Sequence, residues 1–148
     1  MTEDMIRRMA DELEIRNLVA RLAHMADMGD LESEYLPLFV EDAEWVFPGS
    51  ADAAATVATV SGHGEILTDR RQRRASGFQG PGTNTRHLNT TLAIKVDGSD
   101  TATAESYWLF IGDTDTGEPR LRGVGRYHDT FRRTPAGWKL VRRQIVPG

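Results

Sequence analysis

The chain has 148 residues, the length of one domain, and can bury roughly 68–70% of its unfolded surface, enough for a core and a ligand cavity. It contains no cysteine, which excludes disulfides, thiolate zinc sites and cysteine nucleophiles. Its formal net charge of −4 argues against nucleic acid as a partner, and no window approaches the roughly 18 apolar residues that span a bilayer. The acidic start Met1-Thr2-Glu3-Asp4 lacks the basic-then-apolar pattern of a signal sequence. These features lead us to expect a single cytoplasmic domain, 1–148, that handles a small molecule.

Residues 2–28 read as one long helix, with Gly29 as a left-handed stop. Its main apolar stripe is Ile15, Leu18, Val19, Leu22, Met25 and Ala26. A second line, Met9, Leu13, Ala20, Ala23 and Asp27, lies well round from the first, so the helix is expected to be covered on two sides. Asp27 ends that line, where small residues allow another backbone to come close.

Asp30 is a good N-cap for a second helix over 31–40, which Pro37 should kink or break. A strand is expected over 43–47, stopped by Pro48-Gly49 and followed by a loop at 50–55 and a second short strand over 56–60. The turn Ser61-Gly62-His63-Gly64 leads into a helix over 65–75. Its arginines, Arg70, Arg71, Arg73 and Arg74, read as a solvated face or an edge paired with acidic residues, since no aromatics interleave them. Residues 77–82 form a Gly-rich connector suited to a lid over a cavity mouth.

From residue 84 onward the chain reads as strand: a first run to 96, then 101–112, 120–133 and 137–146, joined by short Gly- and Asp-containing turns. This is the pattern of an antiparallel meander. Helices first and strands later indicate an α+β domain with helices on one face of a curved sheet.

In the first of these strands, alternation puts His87, Asn89, Thr91 and Ala93 on one face and Arg86, Leu88, Thr90, Leu92, Ile94 and Val96 on the other. An imidazole and an amide in a row suit the wall of a polar-tipped pocket. Tyr127 and Ser106 are hydroxyls that could serve a developing oxyanion, although each could equally be a polar tip in a core. Trp45, Phe47 and Trp108 would line an apolar cavity or simply pack. His24 and His128 are expected at the surface, and His63 in a turn. No pair has the His-x-x-x-His spacing of a helical metal site, so no metal is expected. The run from Asp113 to Gly117 reads as a hairpin turn rather than a calcium loop.

Several signatures occur together in a fixed order: Met25-Ala26-Asp27-Met28-Gly29-Asp30-Leu31, Phe39-Val40-Glu41-Asp42-Ala43-Glu44-Trp45, Thr85-Arg86-His87, Thr101-Ala102-Thr103-Ala104, and Gly125-Arg126-Tyr127-His128-Asp129 leading to Gly137-Trp138-Lys139-Leu140. With these, the chain resembles the SnoaL-like branch of the nuclear transport factor two-like superfamily. That branch includes polyketide cyclases, scytalone dehydratase, bile-acid dehydratase and a hexachlorocyclohexane dehydrochlorinase. The resemblance implies an α+β cone: a curved antiparallel sheet with N-terminal helices on its concave face, commonly assembled as a homodimer. It also implies a dyad in which Asp27 orients His87, and His87 acts as base. The polar contacts to substrate would then be Tyr127, Asn89 and Ser106.

The chain departs from those relatives in the acid. Where the dehydratases carry a Tyr and the dehydrochlorinase a Lys near the Asp, the nearby residues here are Leu22 and Ala26, which makes Leu22 a wall residue. The second His of scytalone dehydratase falls at Ser106. The expectation is therefore a cofactor-independent lyase or isomerase, of dehydratase or cyclase type, acting on a small hydrophobic cyclic molecule. The alternative is a non-catalytic small-molecule-binding or structural and interaction domain of the same fold.

Overall fold

The first helix of the computed structural model, α1, runs Glu3–Met28 and is capped by the Thr2 hydroxyl, which accepts from the Met5 N–H. The structure describes residues 1–47 and 58–148. α1 buries Ile15, Leu18, Val19, Leu22 and Ala26, the stripe expected from the 3.6-residue period. Polar ties fix its position on the sheet. Asp11 Oδ1 accepts from Arg133 Nη2 at 2.6 Å and from Trp138 Nε1 at 3.1 Å, and Glu14 Oε1 accepts from the Trp138 backbone N–H at 2.8 Å.

Two expectations about this helix are corrected. The second line is not covered: Met9 is 52% and Leu13 67% exposed, and Ala20 is exposed as well. Only its last turn, at Asp27, is buried. Gly29 is extended, with φ −82° and ψ 164°, and not left-handed. What calls for glycine there is space, because a Cβ would lie 2.9 Å from Met25 Cα and 2.6 Å from Met25 Sδ.

Asp30 does cap the next segment, accepting from Glu32 N–H and Ser33 N–H. The segment is a single wide turn, Leu31–Tyr35, followed by a tight 3-10 turn, Leu36–Leu38, with Pro37 as its second residue. Strand β1 then starts earlier than expected and runs Phe39–Val46. β2 covers Thr59–Ser61. The stop at Pro48-Gly49, the loop at 50–55, and Thr56 and Val57 of the expected strand lie outside the described residues. Helix α2 is Gly62–Ala75.

β3 (Arg86–Asp97), β4 (Thr101–Gly112), β5 (Arg120–Thr134) and β6 (Gly137–Pro147) form the antiparallel meander. The sheet as a whole is mixed, because β1 joins β6 in parallel and β2 extends it antiparallel, giving the order β2-β1-β6-β5-β4-β3. The N-terminal strand thus closes the far side of the C-terminal one, and α1 and α2 lie against the sheet around one core of Ile15, Leu22, Tyr35, Phe39, Ile66, Phe131 and Leu140.

One irregularity in β3 explains its mixed sequence. The register to β4 shifts between Thr90 and Ala93, and Thr91 has φ +54°. This bulge inserts a residue and inverts the alternation. Leu92, Ile94 and Val96, expected opposite His87, pack toward the core on the same side as His87 and Asn89, while Ala93 turns out.

Candidate active site

Asp27 and His87 meet at the end of α1. His87 Nδ1 donates to Asp27 Oδ1 at 2.6 Å, and the His87 backbone N–H donates to Asp27 Oδ2 at 2.9 Å. The carboxylate is nearly fully buried, with 4% of its side chain exposed, against 16% for the imidazole. The cover over Asp27 is local. At this end of α1, Arg74 Nη2 donates to the carbonyls of Met25, Ala26 and Gly29 at 3.1, 3.2 and 2.8 Å. The strand entering β3 then crosses the terminus. Bonding through Nδ1 leaves Nε2 as the ring nitrogen available to an incoming molecule, with the buried carboxylate holding the tautomer.

His87 borders two adjoining chambers. The outer one has a volume of about 350 Å³ and is walled by Trp45, Phe47, Phe78, Trp108, Phe110 and Ile145, with Arg73 and Arg122 in its wall as well. That is the size and character of a small-ligand site. The inner one holds about 20 Å³ and is the more polar of the two, with Tyr35, Arg70, Asn89 and Arg143 in its wall and Leu22, Ala23 and Ala26 closing the helix side. Trp45, Arg70, Gln79, His87 and Tyr127 border both. Gly123 and Gly125 on β5 leave room for the Trp108 indole, since a Cβ at Gly125 would lie 2.7 Å from its ring.

The residues singled out in the sequence are therefore largely brought together. Asp27 touches His87, and Tyr127, Asn89, Trp108, Trp45, Phe47 and Leu22 all line one chamber or both. Ser106 does not: it is buried opposite Tyr127 in the β4–β5 register, its hydroxyl has no partner among the described residues, and it borders neither chamber. His24 is exposed, His128 faces Glu105 at 3.2 Å, and His63 Nε2 lies 3.2 Å from the Phe39 carbonyl, away from the site.

The arginines of α2 are the main correction. Arg71 does pair at the surface with Glu32, and Arg73 Nε donates to Asp69 at 2.9 Å. Arg70, however, is only 4% exposed. Its guanidinium lies 4.1 Å from the Trp45 ring centroid and 5.8 Å from that of Tyr35. Ile66, Arg70 and Arg73 stand at i, i+4 and i+7, the same spacing that marked the core stripe of α1, so the signal was present in the sequence.

Arg143 and Asp129 were also missed. They form a buried bidentate pair at 2.8 and 2.7 Å, directly opposite each other on β5 and β6. Burial works against the charge on Arg143, but the Asp129 carboxylate outweighs it and holds the guanidinium more firmly protonated than a free arginine. Arg143 also lies 3.9 Å over the Tyr127 ring. Burial pushes the Tyr127 phenol above its ordinary value, more strongly than Arg143 pulls it down. From the connector, Phe78 stacks on Phe110 at 5.0 Å and Gln79 is buried, so this segment does form part of the chamber wall.

A cone of α+β structure holding a buried carboxylate–imidazole pair beside an apolar chamber defines a class of small-molecule domain. The SnoaL-like domain model matches residues 7–144, and the chain belongs to that family. A nuclear-transport-factor-two-like protein with a cystatin-like fold from Novosphingobium aromaticivorans is 32% identical, with a TM-score of 0.76 over 97% of this chain and 86% of that one. A protein of unknown function from Nostoc punctiforme is 24% identical, with a TM-score of 0.75 over 94% and 92%. A protein provisionally named a scytalone dehydratase from N. aromaticivorans is 22% identical, with a TM-score of 0.73 over 97% and 88%. At those last two identities the likeness establishes the fold. No curated protein matches the chain. No helix among the described residues is long and apolar enough to cross a membrane.

Proposed function

We propose that this protein is a cofactor-independent acid–base enzyme, of dehydratase, isomerase or cyclase type, acting on a small hydrophobic cyclic molecule. The observation that carries the reading is the His87 imidazole held at 2.6 Å by Asp27 on the wall of an apolar chamber of about 350 Å³. In this reading Nε2 of His87 removes a carbon-bound proton, and Asp27 fixes the tautomer and stabilises the imidazolium that forms. Trp45, Phe47 and Trp108 hold the ring system, with Tyr127 and Asn89 as polar contacts and Leu22 closing the wall. The provisional name of the N. aromaticivorans neighbour points in the same direction.

The test is turnover of a panel of cyclic enones and hydroxy-ketones by wild type, His87→Ala and Asp27→Asn. Turnover by wild type that falls in both variants supports the reading. Equal turnover in all three, or none in any, rejects it in favour of a domain that only binds.

The reading includes a homodimer. The outer face of the sheet carries Leu88, Leu109 and Val124 in one row across β3, β4 and β5, with Tyr107 beside them. Leu88, Tyr107 and Val124 are 44–50% exposed in the single chain, and a contiguous apolar patch of this kind marks an interaction surface.

A further inference from the structure

We infer that the inner chamber is an oxyanion site in which Arg70 receives the carbonyl oxygen of the substrate as His87 removes the adjacent proton. The inference deepens the proposed function, and rests on it for the step but not for the binding. It narrows the substrate class to cyclic ketones or enones with an ionisable carbon–hydrogen bond next to the carbonyl.

Three observations meet at this chamber. The first is Arg70, a charged side chain almost wholly removed from water that borders both chambers beside His87. Its Nε has no partner among the described residues. Its ion-pair contact there is Asp69 Oδ2 at 3.5 Å from Nη1, and that same oxygen accepts from Arg73 Nε at 2.9 Å. Two guanidiniums thus share one carboxylate, leaving positive charge at the chamber. Arg143, also in its wall, is matched by Asp129. A buried cation left so weakly matched is costly unless an anion completes it.

The second observation is a pair of buried donors without partners among the described residues, Tyr35 Oη and Asn89 Nδ2, both on residues of the same wall. Buried polar groups are ordinarily satisfied, and those that are not mark a ligand, an ion or a functional site. The third is size. About 20 Å³ admits one oxygen atom and excludes a ring or a branched group.

The step balances within the protein and its substrate. Nε2 of His87 takes the proton, and the carbon–hydrogen pair becomes the carbon–carbon double bond of the enolate. The carbonyl π pair moves onto oxygen, where the charge faces Arg70 and the Tyr35 and Asn89 donors. The proton remains on His87 for return to the same molecule or to a leaving group. Preorganised donors aimed at developing charge in a water-poor site are a large contribution to catalysis. This arrangement also answers the departure at Leu22, Ala26 and Ser106: a cation supplied by α2 takes the part that a hydroxyl or second imidazole would have played.

The test uses 4-nitrophenol, a planar phenol whose absorbance distinguishes bound anion from bound neutral form, with 4-nitroanisole as its uncharged counterpart. It is made on the full chain at a pH where free 4-nitrophenol is mostly neutral. Wild type is expected to bind the anion in preference to both neutral forms by about tenfold to a hundredfold, the range for a hydrogen bond to a charged group. Arg70→Met is expected to lose that preference, Arg70→Lys to keep part of it, and Tyr35→Phe and Asn89→Leu each to weaken it by less. His87→Ala is expected to retain it. Neutral 4-nitrophenol bound by wild type, with no anion preference over 4-nitroanisole, overturns the inference without any variant having to fold. So does an anion preference that vanishes in His87→Ala and survives in Arg70→Met. Anion preference with no turnover of any ketone rejects the proposed enzyme while leaving the oxyanion site standing.

Discussion

Asp27 holds His87 twice, once through the ring nitrogen at 2.6 Å and once through the backbone N–H at 2.9 Å. One carboxylate therefore sets both the tautomer of the imidazole and the position of the strand that carries it. His87→Ala is expected to lower turnover by about a hundredfold to ten-thousandfold, the usual worth of a general base. Asp27→Asn should lower it as well, with the fold retained. Ring-nitrogen chemical shifts check the coupling independently of any substrate: wild type should show a proton on Nδ1, and Asp27→Asn a mixture of tautomers.

The Arg143–Asp129 pair lies in the core beneath Trp45 and Tyr127, where neither charge has access to bulk water. Removing one partner strands the other. Asp129→Ala is expected to destabilise the protein by about 3–5 kcal/mol, as is Arg143→Met. The double variant should cost less than the sum of the two, because no unpaired charge remains. Urea unfolding of the three variants measures each value.

Burial raises the Tyr127 phenol above its ordinary value, which has a consequence at alkaline pH. In the unfolded chain this group ionises near pH 10. Between that pH and its higher folded value, the unfolded state releases a proton that the folded state keeps. Tyr127 thus contributes stability that is fully present below about pH 10 and is lost as pH rises through the folded value. Unfolding free energy measured from pH 8 to 11 should fall, and Tyr127→Phe should fall less steeply.

If the Leu88–Leu109–Val124 row is the dimer surface, a charge placed in it will separate the subunits. Val124→Lys is expected to halve the mass seen by light scattering, while Leu13→Lys on the exposed side of α1 leaves it unchanged. A wild-type protein of monomer mass rejects the dimer.

Much of the fold was legible because it rests on local periodicity. The stripe on α1, the Asp30 cap, the break at Pro37 and the turns of the meander each follow from a few neighbouring residues. Where one extra residue changes the phase, local reading fails. The bulge at Thr91 moved Leu92, Ile94 and Val96 to the other face, and nothing in their composition announces it. The parallel joining of β1 to β6 was likewise hidden, since it pairs residues about a hundred positions apart.

For the candidate site, the sequence by itself determined that His87 and Asn89 share a face, that Asp27 ends a helix, and that aromatics are at hand. The tertiary structure decided that Asp27 is buried, although the rest of its helical line, Met9 and Leu13, faces water. Helical spacing assigns a residue to a face but not what covers that face one turn at a time. It also decided that Arg70, in a run of four arginines that reads as a solvated edge, stands under Trp45 beside the imidazole. A charge is assigned to the surface from composition because water is its cheapest surroundings. The spacing of Arg70 from Ile66 put it on the inward face of α2, and the packed chain shows that this face borders the chambers that His87 lines.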